Sequence, residues 1–189
     1  MTYPTLANLR TWVNVATGDD SPLQWAVDAA IAYVEKSTGR LFVAATETRS
    51  YVPGKNFVSH DHFTLHLMND LVSVTTLTNG DGVEISSSDY TLYSNSGSAP
   101  YHQIVLHPWS SVRFGFVSQN ITVAGDWGYS ADCPDDVFEA ILVLAQHDYL
   151  ARQTGQGGPV AVGARRSGLV IPADKIPALV ETVIARYTR

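Results

Sequence analysis

Three histidines come nearest, by residue type and spacing, to a metal site. His60, His62 and His66 stand at even spacings, so on one β-strand they would share a face, an arrangement that presents imidazole ligands to a metal ion. The residues that alternate with them are mostly apolar and would pack on a core, which leaves the histidines on a solvated or interfacial face. We expect this second arrangement, and therefore no metal and no other cofactor.

Carboxylate pairs for acid–base catalysis are the next possibility. The acidic side chains concerned are Asp81, Asp89, Asp126, Asp132, Asp135 and Asp136. Most of them stand at predicted turns or helix starts, where aspartate has local structural roles, so we expect no catalytic pair. The chain also lacks a phosphate-binding glycine loop, a GxSxG elbow and an HExxH motif. We therefore predict that the protein is not an enzyme.

A group of aromatic residues could form a platform on which sugar rings stack. Its members are Trp109, Trp127, Tyr90, Tyr93, Tyr101 and Tyr129. In a small β module, aromatic side chains more often belong to the core and to cross-strand pairs. A carbohydrate-binding β module is therefore kept as the alternative function.

Composition is typical of one globular domain, or of one core with a sizeable insertion. The chain has 189 residues, of which 45% are apolar and 16% charged. No apolar run approaches the roughly 20 residues that span a bilayer, and the N-terminus lacks the pattern of a signal peptide. Cys133 is the only cysteine, so no internal disulfide forms. We expect a cytosolic product without a membrane partner.

Charge is distributed unevenly along the chain. The formal net charge of −6 argues against a general nucleic-acid binder. Residues 151–189 hold six basic and two acidic side chains, a net +4, so the first 150 residues carry −10. An acidic body with a basic C-terminal arm indicates that the arm meets an acidic partner; the alternative is a solubilising tail.

Helix signals open the chain. Thr5 is placed to cap a short helix whose inner face holds Leu6, Leu9, Trp12 and Val13. Ser21, Pro22 and Gln24 together predict a second helix that begins with a serine N-cap and a capping box. This helix runs to about Thr38, and Gly39 is its predicted stop.

The second helix has an additional face that the first core does not need. It holds Trp25, Ala29, Ala32 and Tyr33. Small residues beside aromatic ones predict a second packing surface, and these four residues are our candidates for a contact between subunits. The alternative is that the following β region covers them.

The stretch from Cys133 to Arg152 predicts the central helix, since apolar residues cover most of its circumference. A glycine-rich linker over 155–173 follows it. A last helix from Asp174 carries a wide apolar stripe. That helix either folds back on its own domain or docks on a partner.

Between the second and the central helix, residues 41–131 have the pattern of short strands and turns. An Asn79–Gly82 turn predicts a hairpin, and the spacing indicates six or seven strands in an antiparallel sandwich or small barrel. The predicted fold class is therefore α+β, a bundle of about four helices with a β sandwich or barrel-like insertion between the second and third. The predicted parts are the helices of 1–40, the β insertion 41–131, the central helix 132–154 and the linker with its docking arm 155–189.

The order of these parts resembles a known family. EKSTGRLF ends the second helix; VSVTTLTNGDGVEI, DYTLY and IVLHPW follow in the β region; and ITVAGDWGY leads into CPDDVFEAILVLAQHDYLAR. This order and spacing, over about residues 5 to 152, resembles the head–tail connector (adaptor) proteins of long-tailed double-stranded DNA phages and gene transfer agents, in the variety with a β insertion.

The resemblance implies a structural protein of the virion neck, made in the bacterial host cytoplasm. Such proteins form a homo-oligomeric ring of twelve copies under the portal protein, extend the DNA channel and join the head to the next neck or tail protein. DNA passes through the ring without sequence-specific binding. The predicted portal-docking residues of the arm are Arg165, Arg166, Leu169, Ile171, Ile176, Leu179, Val183 and Tyr187. The alternative is a carbohydrate- or cell-wall-binding β module of a phage.

Overall fold

A computed structural model describes residues 2–15, 18, 20–52, 57–115, 120–153 and 176–189. The chain forms two compact units, one from Met1–Arg40 with Asp132–Arg189 and one from Leu41–Ala131. We refer to them as the helical unit and the β unit. The elements, in chain order, are α1 (Leu6–Val13), α2 (Ser21–Thr38), β1 (Ala45–Tyr51), β2 (Thr64–Thr78), β3 (Tyr90–Tyr93), β4 (Tyr101–Leu106), β5 (Ile121–Trp127), α3 (Asp135–Gln153) and α4 (Ala178–Tyr187).

Helix α3 contacts α1, α2 and α4, the other three helices of the helical unit. Its buried side chains lie on most sides of the helix, since each neighbouring helix covers a different one. They are Val137, Ala140, Ile141, Leu142, Leu144, Ala145, Asp148 and Tyr149. No helix among the described residues is both long and apolar enough to cross a membrane.

The helix ends confirm some of the predicted signals and correct others. Thr5 caps α1 in a capping box with Asn8, and Gly39 ends α2 in the left-handed conformation, with φ of 68°. The N-cap of α2 is Asp20 and not the predicted Ser21. With Asp20 as the N-cap, Gln24 is the fourth residue of the helix and not the third, so it completes no capping box; its side-chain amide donates to Asp28 at 2.7 Å.

Helix α4 packs on α2 and α3 of its own unit. Val180 and Val183 are its buried side chains. Polar contacts hold the C-terminal end: Arg40 Nε donates to the Tyr187 carbonyl at 2.7 Å, and Arg186 Nη1 donates to Asp136 Oδ2 at 2.7 Å. Of the two arrangements open for the last helix, this chain therefore adopts the one that folds back.

The β unit contains one antiparallel sheet, with strand order β1-β5-β2-β4-β3. The central strand β2 is 15 residues long. It pairs with β4 over its first half and with β5 over its second, with register shifts on both sides. Strands β1 and β3 are the two edges of the sheet.

The predicted sandwich or barrel is therefore wrong, because the described strands form a single open five-stranded sheet. Residues 64–68 and 72–78, which the pattern of the sequence divides into two strands, belong to one continuous strand, β2. A register shift in the pairing of β2 with β4, between His66 and Leu71, accommodates the break in alternation between them. Residues 83–85, which follow the predicted hairpin turn, make only an isolated bridge, between Thr78 and Glu84.

One face of the sheet carries the core of the β unit. Strand β5 alternates buried and half-buried positions along its whole length, as a strand with one face on a core does. Its buried Ile121, Val123 and Trp127 join the core cluster. Beyond the strands, Phe114 is buried in the same cluster, and Phe57 packs against it half-buried, so loop residues help to cover the sheet.

Candidate functional site

The three histidines do not share a strand, which corrects the geometry assumed for a metal site. Strand β2 begins at Thr64, so His60 and His62 stand in the turn before it. Ser59 and Asp61 close this turn: the Asp61 carboxylate accepts from the Ser59 hydroxyl and from the Phe63 N–H. Within the described parts of the chain, no three histidine, cysteine or acidic side chains lie where they could hold a metal ion.

His62 has a structural contact instead. Its backbone is left-handed, with φ of 62°. Its Nδ1 lies 3.1 Å from the Phe114 carbonyl oxygen, and the Phe114 N–H donates to the His62 carbonyl at 3.0 Å. Because a carbonyl oxygen only accepts, Nδ1 is the donor of this hydrogen bond. These two hydrogen bonds between His62 and Phe114 connect the turn to the loop that contributes Phe114 to the core.

The six aromatic residues do not form one platform. Trp127 is 0% exposed and belongs to the core, and Tyr90 and Tyr101 pack half-buried against that core. Trp109, in contrast, is 79% exposed, and its ring contacts that of His107 at a tilt of 37°, with 4.5 Å between centroids. The positions on which a sugar-binding surface would depend are therefore divided between core and solvent.

Of the six aspartates, Asp126 has the most informative contacts. Its carboxylate on β5 accepts from the Thr46 hydroxyl on β1 and from the Ser73 hydroxyl on β2, both at 2.7 Å. These hydrogen bonds, that from Ser73 first, hold the pKa of Asp126 below its usual value. The carboxylate therefore links three neighbouring strands, which is a structural function rather than a catalytic one.

This contact predicts part of the acid sensitivity of the β unit. A carboxylate whose folded pKa is lowered stabilises the fold above its unfolded pKa, and that contribution disappears as pH falls through the folded pKa. In Asp126→Asn we expect a lower Tm at pH 7 and a smaller drop in Tm between neutral pH and the acid range. Thermal unfolding at a series of pH values measures both, and an unchanged pH profile would contradict this role.

The outward side of α2 carries the residues predicted to contact another subunit. Trp25 is 60% exposed; Ala32 is also exposed, and Ala29 and Tyr33 are half-buried. At 3.6 residues per turn, Trp25 stands on the side of α2 opposite its buried residues. Those are Leu23, Ala26, Val27, Ala30, Val34 and Thr38.

A groove on the same unit runs between α1 and α3. Its volume is about 650 Å³, and its lining residues are Asn8, Thr11, Trp12, Phe138, Glu139 and Leu142. Trp12, one of these lining residues, donates from its Nε1 to Gln146 Oε1 on α3 at 2.9 Å. We call this surface the α1/α3 groove.

The sequence did not indicate this groove. The spacing predicts Trp12 on the inner face of α1, whereas Trp12 is 46% exposed and Leu9 is the one buried residue of this helix. The signal that could have found it is a polar pair, Glu139 and Gln146, on a helix whose circumference is otherwise mostly apolar, because Glu139 lines the groove and Gln146 accepts from Trp12.

The predicted docking residues of the arm fall into two groups. Arg165, Arg166, Leu169 and Ile171 lie outside the described residues. In the second group, Leu179 is exposed and Ile176 half-buried, while Val183 is buried within the helical unit. The Tyr187 hydroxyl donates to Asp136 Oδ1 at 3.0 Å.

Comparison with known proteins gives a fold and no family. No protein family and no curated protein matches the sequence. The fold is similar to that of a chain in the neck of an empty gene transfer agent (GTA) particle computed with C6 symmetry, with a TM-score of 0.59, 18% identity, and coverage of 98% of this chain and 89% of that chain.

Two further solved structures agree with it. A chain of the virion of a native GTA particle has a TM-score of 0.60 and 16% identity, over 98% of this chain and 89% of that one. A chain from the neck of a native GTA particle computed with C12 symmetry has a TM-score of 0.57 and 16% identity, over 97% and 87%. At these identities the likeness establishes a shared fold over nearly the whole chain.

Proposed function

We propose that this chain is a structural subunit of the neck of a phage-like particle, a head–tail connector. The observation that carries the proposal is the similarity in fold, over 97–98% of the chain, to chains of GTA particles, two of them neck chains. The chain then acts by shape and by contact, and not as an enzyme.

The connector is proposed to be a homo-oligomeric ring of twelve copies below the portal protein, joined on its other side to the next neck or tail protein. Support for a ring comes from the symmetry of the similar necks, which were computed with C6 and with C12 symmetry. A subunit of such a ring needs two complementary surfaces, since each copy contacts one neighbour on either side. The outward side of α2 is proposed as one of them.

The charge of the chain supports the proposal that the ring forms a channel for DNA. Residues 1–150 carry a net −10. DNA binding gains free energy when basic side chains displace counterions from phosphates. An acidic body therefore leaves DNA free to slide, which is what a conduit requires.

The basic segment after α3 is proposed to dock on the portal. Arg165 and Arg166 supply positive charge beside the apolar Leu169 and Ile171, and Leu179 continues the apolar character on the exposed side of α4. Val183 and Tyr187 have a different role in this proposal: they hold α4 to its own unit and so anchor the arm. Each copy contributes modest energy, which repetition around the ring multiplies.

Removal of the chain from particle-producing cells tests the proposal. We expect DNA-filled heads and separate tails, and a return of complete particles when the wild-type chain is supplied in trans. The double variant Arg165→Glu, Arg166→Glu is expected to restore fewer than about a tenth of the complete particles. The substitutions remove the attraction between the two arginines and an acidic partner and replace it with repulsion. Electron microscopy counts the three species. Complete particles in the absence of the chain would contradict the proposal.

A further inference from the structure

Trp25 is a large apolar side chain held in solvent. It is 60% exposed, and its neighbours one and two turns along the same side of α2 are alanines, Ala29 and Ala32. Such small residues let another surface approach the indole closely. Tryptophan is also enriched among the residues that dominate interface energies.

The α1/α3 groove has the room and the lining to accept an indole. Its volume of about 650 Å³ exceeds what one indole fills, and pockets that take small organic molecules have about 300–1,000 Å³. Trp12, Phe138 and Leu142 supply apolar walls. A buried indole also needs an acceptor for its N–H, and the exposed Glu139 carboxylate at the groove supplies one.

A chain cannot fill its own groove with this residue. The buried side of α2 packs on α1 and α3, and Trp25 stands on the opposite side of α2, away from both helices that form the groove. The protruding residue and the cavity therefore lie on different sides of one helical unit. A second copy placed head-to-tail brings the two together, and repetition of that contact about an axis closes a ring.

We propose that Trp25 of one copy inserts into the α1/α3 groove of the next, with its indole N–H donating to Glu139. This inference rests on the proposed function for the existence of a ring, and it identifies the two surfaces that meet. The occupant is a second copy of this chain, rather than a tail protein or the chain's own arm.

Disulfide cross-linking in assembled particles tests the contact. Trp25→Cys places one thiol on the protruding side, and Thr11→Cys places the other on the exposed rim of the groove. The native Cys133 does not interfere, because it is buried and burial raises the pKa of its thiol to about 11. The control pairs Trp25→Cys with Thr182→Cys, an exposed position on α4.

Mild oxidation of particles with the first pair is expected to give a ladder of chain multiples on a non-reducing gel. The control pair is expected to give at least tenfold less of each multiple. A second variant, Thr11→Trp, fills the groove and should reduce the copies per particle at least tenfold, while Tm of the purified chain stays unchanged.

The outcomes separate this inference from the proposed function. A ladder from the Trp25 and Thr11 pair alone supports the inference. Particles that contain many copies of the chain but give no ladder overturn the inference and leave the connector function in place. Particles made with the wild-type chain that nevertheless lack it overturn both, and equal ladders from the two cysteine pairs show random collision and overturn the inference.

Discussion

In Trp127→Ala we expect the free energy of unfolding to fall by about 3–5 kcal/mol, the range for removing a large aromatic side chain from a packed core. Trp127 is 0% exposed. Its Nε1 donates to the Glu47 carbonyl at 3.2 Å, and the Arg49 guanidinium lies 4.5 Å from the centre of its ring. The substitution therefore removes core contacts of β5 and a link to β1 together.

Trp109→Ala is the matched control for this experiment, since it removes the same side chain from the same unit. Trp109 is 79% exposed, so the expected change is within about 0.5 kcal/mol. Chemical denaturation followed by far-UV circular dichroism compares the two variants. Equal losses of stability would contradict the core described for the β unit.

Val183→Asp is expected to lower the free energy of unfolding of the helical unit by about 3–5 kcal/mol, because it leaves a charge buried without a partner. Val183 is 2% exposed, and α4 contacts α2 and α3 around it. If α4 were held only by a partner protein, the isolated chain would tolerate this change.

The neighbouring Thr182 provides the control, because it stands on the exposed side of the same helix. Its side chain makes a local hydrogen bond to the Ala178 carbonyl, at 2.9 Å, so Thr182→Asp is expected to cost less than about 1 kcal/mol. Thermal unfolding of both purified variants measures the difference. Similar Tm values would show that α4 is not packed as described.

Local sequence signals predicted the helix ends well where a cap involves only a few neighbouring residues. Thr5 and Gly39 act at the ends of α1 and α2 as expected, because a cap depends on neighbouring backbone groups. The predicted N-cap role of Ser21 and the predicted capping box of Gln24 are wrong for a related reason. Several polar residues compete at the start of α2, and the pattern alone does not decide which of them supplies the cap.

The sheet was less predictable, because alternation indicates a strand without naming its partners. The sequence pattern on either side of Asp70 indicates two strands. They form the single strand β2 because its pairing shifts in register against β4 and β5. The same limit applies to the histidines. Even spacing places His60, His62 and His66 on one face only if a strand includes them all, and β2 begins after the first two.

Surface residues are the hardest to assign from the sequence. Periodicity placed Trp25 correctly on an outward side of α2, because its partners on the buried side are clear. Trp12 failed, since a helix of eight residues offers few positions from which to fix the buried direction. The α1/α3 groove depends on how α1 and α3 pack against each other. No local pattern in the sequence encodes the distance between the two helices.

Cryo-electron microscopy of the neck of the native particle tests the central claim most directly. The account predicts density for this chain in many equivalent copies around the particle axis, between the head and the tail, with the outward side of α2 in each copy facing α1 and α3 of the next. A neck built without this chain, or a single copy lying off the axis, would contradict it.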